Sequence, residues 1–262
     1  MKKYYAEREH ALDQIDFISI KYSFLRIYKQ FFYDNYFVKE GFEFARTDPV
    51  LFLFRKLGSW NIWPFEKKIE TYDEATLFSV IEFLYEYVYN KAIDGSSSLE
   101  DGQKKYRSMV NDILRYYNGG YKLSEYGEIK KLSPPGFEPL IEGTIETNHP
   151  EDIDSIVSSA ISKYLSYNAS IDDKKQAVRN LADVLEYLKK GEIKLNGEDN
   201  KDLFHIINKD LFHIINKFDI RHHNRSQQSD YDKDVWYDWM FYTFLASIHA
   251  FSKLNAEKIL NR

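Results

Sequence analysis

The chain has 262 residues, 44% hydrophobic, 29% charged and 17% aromatic, with a formal net charge of −5 and no cysteine. That length can bury a real core, as one large domain or two small ones. The lack of cysteine excludes disulfides and thiolate metal sites and fits a reducing compartment, and the negative charge argues against broad electrostatic capture of nucleic acid. The basic pairs Lys104-Lys105 and Lys130-Lys131 are scattered among acids rather than gathered into a patch. No signal-peptide-like run follows Met1, and no stretch approaches the roughly 18 to 20 apolar residues of a membrane span. The sequence reads as that of a cytosolic protein.

In chain order, Ile15, Ile18, Tyr22, Leu25 and Phe32 recur at helical spacing and predict a long helix over about 12–36. Thr47-Asp48-Pro49 opens a short second helix that Gly58 ends. The aromatic connector "WNIWPF" follows, and Thr71-x-x-Glu74 reads as a capping box for an apolar helix to about Asn90. Residues 94–102, "DGSSSLEDG", read as a polar loop, and the next helix spans about 103–117. "GYKLSEYGEIKKL" then changes to strand-like alternation about Ser-Glu-Tyr-Gly, predicting a small β-hairpin at about 120–132. "SPPGFEPLIEG", rich in Pro and Gly, marks an internal boundary. Helices are expected after it at about 151–167, 171–190 with Ser170 as N-cap, 200–218, and 233–260 starting near Asp230 or Asp232. The expected fold is therefore mainly α: a helical bundle of two halves, 1–145 and 146–262, with one small hairpin.

The octad Asn-Lys-Asp-Leu-Phe-His-Ile-Ile occurs twice without change, at 200–207 and 208–215. On a helix its histidines, His205 and His213, stand about 12 Å apart along the axis and about 80° apart in rotation. They cannot share one metal ion, so a histidine ladder is excluded on geometry. The two copies also turn their apolar sides about 80° apart, which requires burial on several sides or a kink between them. The period is too short for a repeat architecture, so a local tandem duplication is the better account.

The octads run into Arg221, His222, His223, Asn224 and Arg225, with Asp230 and Asp232 close behind. Three chemistries fit this set. A histidine near neutrality can move the proton of an RNA 2′-hydroxyl or leaving group while a guanidinium stabilises phosphate charge, with no metal or other cofactor. Two His and two Asp can instead hold a divalent metal that activates water for phosphoester hydrolysis. In a third, structural reading, Arg221 pairs with Asp219, Asp230 or Asp232 and the histidines cap the preceding helix.

"YRSMVNDILRYYNGGYKLSEYGEI" (106–129) resembles the helix-and-hairpin unit of abortive-infection proteins of the AbiJ type. "IDSIVSSAISKYL", "DDKKQAVRNLADVLEYL" and "IRHHN" with the helix after it resemble the HEPN-like helical domain that follows in that group. The resemblance covers roughly 106–262. It implies a helical domain that is often dimeric and often an RNase of toxin or phage-defence systems. The family's motif places His four to six residues after Arg, whereas His222 and His223 directly follow Arg221. The expected function is a metal-independent ribonuclease effector acting on RNA, with Arg221, His222, His223 and Asn224 as its site. In that reading two chains pair through their last helices and bring two Arg-His sets together as a homodimer; the competing expectation is a non-catalytic module that binds a protein partner or self-associates.

Overall fold

Apolar residues at three- and four-residue spacing build α1 (Phe17–Tyr33), which buries Ile20, Phe24, Ile27, Tyr28 and Phe31 along one stripe. In this computed structural model the described residues are 14–37, 48–92, 99–143, 150–190, 206–218, 220 and 230–260. Asp16 caps α1 by accepting the Ser19 amide at 2.7 Å. Next come α2 (Pro49–Leu57), closed by Gly58 in the left-handed conformation, then α3 (Phe65–Lys68), a 3₁₀ turn (Ile69–Thr71) and α4 (Glu74–Glu86). The capping-box expectation at Thr71 is corrected here. Asp73 is the N-cap of α4, accepting the Thr76 amide at 2.8 Å, while the Thr71 hydroxyl donates to the Lys68 carbonyl. A carboxylate nearer the first turn wins the free amides.

α5 (Gly102–Leu114) is capped by Asp101 and leads into the hairpin β3 (Tyr121–Leu123) and β4 (Ile129–Lys131), paired antiparallel with Leu123 opposite Ile129. Two helices hold this hairpin. The Asn111 side-chain amide both accepts from the Leu123 amide and donates to its carbonyl, and the Glu82 carboxylate accepts from the Ile129 amide. Gly127 turns the hairpin at a φ of 82°, and a Cβ there would lie 2.7 Å from the Tyr85 ring, so both backbone and space require glycine. A second, shorter pairing was not expected: β1 (Lys91–Ala92) and β2 (Leu99–Glu100) form a two-residue antiparallel ladder at the edges of the polar loop. Two residues a side are too few for alternation to show.

The chain divides into two compact units, Met1–Leu132 and Ser133–Arg262, so "SPPGFEPLIEG" falls in the second. That unit holds α6 (Glu138–Glu142), α7 (Pro150–Tyr164), α8 (Ile171–Lys190), a π-helical stretch (Ile206–Leu211) running into α9 (Phe212–Lys217), and α10 (Lys233–Leu260). Ser170 and Asp173 cap α8 reciprocally: the Asp173 amide donates to the Ser170 hydroxyl, and the Ser170 amide donates to the Asp173 carboxylate. The core gathers Val157 and Ala160 of α7, Leu181 and Leu185 of α8, Leu211 and Ile215 of the second octad, and Phe241, Phe244 and Ile248 of α10.

Candidate functional site

Arg221, His222, His223 and Asn224 lie outside the described residues, as do His205, Asp219 and Arg225. Described residues flank them on both sides. Phe218 and Ile220 are buried on one side, and Tyr231 on the other donates its hydroxyl to the Phe218 carbonyl at 2.8 Å. The Phe218 ring stacks on Trp236 at 4.4 Å and meets Tyr231 edge-on at 5.1 Å. Phe218 and Tyr231, 13 positions apart, thus meet in one aromatic cluster. Asp232 is engaged as the N-cap of α10, accepting the Val235 amide at 3.1 Å, and Asp230 is exposed. Of the two carboxylates named as metal ligands, Asp232 already has a structural duty. Among the described residues, no group of three His, Asp or Glu side chains is arranged to hold a metal ion.

The second octad contributes packing rather than chemistry. Leu211 and Ile215 are buried in the core, while His213 is exposed. The π-helical stretch spans the junction between the copies, so of the two outcomes open to their spacing, burial on several sides or a kink, a break in regularity is present there.

A polar group missed by sequence reasoning lies on α10. Lys174 of α8 donates to Asp234 at 2.7 Å and stands 3.7 Å from Asp238. The Tyr164 hydroxyl of α7 donates to Asp238, and its ring stacks on Phe241 with centroids 3.9 Å apart. Burial, reinforced by the hydrogen bond to Asp238, pushes the Tyr164 hydroxyl far above the usual phenol range. Burial and the charge of Asp238 push Tyr242 up to about 12. Both phenols therefore stay protonated at neutral pH. The one local signal was Asp234-x-x-x-Asp238, which puts both acids on one helical face. Their partners come from 60 and 74 residues away, beyond the reach of any local pattern.

Beside this group runs a groove of about 590 Å³ between α10 and the segment before and within α6, with Pro134, Phe137 and Leu140 on one wall and Trp239, Tyr242 and Ala246 on the other. His249 fixes the first wall, its Nε2 lying 2.9 Å from the Leu140 carbonyl.

Comparison with family models, curated proteins and solved structures returns no match. Among the described residues no helix is long and apolar enough to cross a membrane.

Proposed function

We propose that the protein is a HEPN-like effector of a bacterial toxin or phage-defence system that cleaves RNA without metal. Arg221 stabilises the developing phosphate charge, His222 or His223 transfers the proton, and Asn224 orients the substrate. The observation supporting this reading is the contact of Phe218 with Tyr231 and Trp236, which brings the residues before and after this segment together beside the N-terminus of α10. Catalytic residues are commonly carried on loops positioned by such a scaffold. The test is RNA cleavage in EDTA. Arg221→Ala and His222→Ala are each expected to lower the rate by about 10²- to 10⁴-fold, the usual loss for a charge-stabilising or proton-transferring group. Wild-type activity equal to that of the variants, or none, sinks the reading.

A second reading is a non-catalytic module that binds a partner or pairs with itself. It draws on large apolar residues left in solvent, with Ile18 62%, Trp60 57% and Val235 62% exposed. A mass of one chain by light scattering at high concentration excludes the homodimer form of this reading.

A further inference from the structure

We propose that the groove between α6 and α10 binds a small organic cation, an ammonium on an aliphatic chain. Phe137, Trp239 and Tyr242 line it with aromatic rings, and Phe137 and Tyr242 form one surface with centroids 4.6 Å apart. Asp238 is the one charged residue among its described lining residues. Aromatic faces with a carboxylate attract an organic ammonium, by ring quadrupole and by charge, and they repel an anion. The volume of about 590 Å³ is that of a small-molecule site. From Asp238 the lining continues past Thr243 and Ser247 to Ala246 and Ala250, twelve residues or about 18 Å along the helix, which gives an alkyl chain a mainly apolar track.

The charge balance favours one further cation. Among the described residues Asp234 and Asp238 face one ammonium, Lys174, whose shorter contact is to Asp234 at 2.7 Å against 3.7 Å to Asp238. Lys174 does not line the groove and reaches Asp238 from α8. Tyr164 donates to the Asp238 oxygen that Lys174 also approaches, which steadies the carboxylate. Lys174 is thus an internal competitor for the ligand, and removing it should strengthen binding.

The experiment is calorimetric titration of the full chain with hexylammonium, hexan-1-ol and hexanoate. Hexylammonium is expected to bind about tenfold more tightly than the alcohol, with hexanoate weakest. Asp238→Asn should level amine and alcohol, and Lys174→Gln should tighten the amine several-fold while leaving the alcohol unchanged. Equal binding of amine and alcohol by the wild type, or an amine preference that survives Asp238→Asn, overturns the proposal. Should Asp238→Asn fail to fold by circular dichroism, Lys174→Gln decides: tighter amine binding supports the site, and unchanged or weaker binding overturns it. Capture of a lysine-bearing peptide with no binding of the free amine overturns the small-molecule assignment. RNA cleavage plays no part in these readouts, so this site and the ribonuclease reading fail separately.

Discussion

Asp232 holds the start of α10, the longest helix among the described residues, through a side-chain contact to the Val235 amide. Asp232→Ala leaves that amide without its cap and is expected to cost about 0.5–2 kcal/mol, read from chemical denaturation. Asp232→Asn retains a capping oxygen and should recover most of the loss. Asp73 makes a parallel case that depends on pH. Hydrogen bonds from the Thr76 side chain and amide hold its carboxyl below the ordinary value of 3.8. A folded value below the unfolded one means stability that is present above pH 3.8 and is lost as pH falls through the folded value. Asp73→Asn keeps the cap without the titration. The stability difference between the two proteins should therefore be flat above about pH 5 and shrink on acidification, as acid titration of both can measure. A difference that grows toward low pH contradicts the assignment.

At the scale of elements, one octad should suffice. Deleting residues 200–207 leaves one complete copy in front of Phe218, and that copy supplies Leu211 and Ile215 to the core. Cooperative thermal unfolding and an unchanged near-ultraviolet spectrum are expected, and loss of folding would make both copies structural. The elements were legible where local chemistry decides them. The apolar stripe of α1, the Ser170 cap, the Gly58 stop and the hairpin around Gly127 all stand in the sequence. Local signals failed where competitors lay within a few residues, as when Asp73 rather than Thr71 took the free amides of α4. They failed also where pairing was too short to have a period, at β1 and β2. The ion group on α10 was invisible for a different reason, since its members meet only after three helices pack. For the Arg221–Asn224 segment, the residue types were legible and the aromatic cluster beside it was not, because Phe218 meets Tyr231 and Trp236 only across 13 and 18 positions of sequence.

At the scale of the molecule, the four tryptophans divide evenly between the units, with Trp60 and Trp63 in the first and Trp236 and Trp239 in the second. Each unit has its own buried aromatic residues, including Tyr106 in one and Phe244 in the other. Phe244→Ala is expected to cost the second unit about 3–5 kcal/mol by opening its core. With Trp60 and Trp63 replaced by Phe, the remaining fluorescence should report a large shift in denaturation midpoint. With Trp236 and Trp239 replaced instead, the shift should be smaller. Equal shifts from both pairs would show that the units unfold as one.

The π-helical stretch at Ile206–Leu211 also bears on how an eight-residue insertion is tolerated. Two α-helical turns hold about 7.2 residues, so each octad overshoots by roughly 0.8 of a residue. An i→i+5 turn takes up about one residue more than an α-turn, which nearly matches the surplus. The wide turn is therefore where the chain stores the remainder of its own duplication. A seven-residue insertion would have left almost none to store.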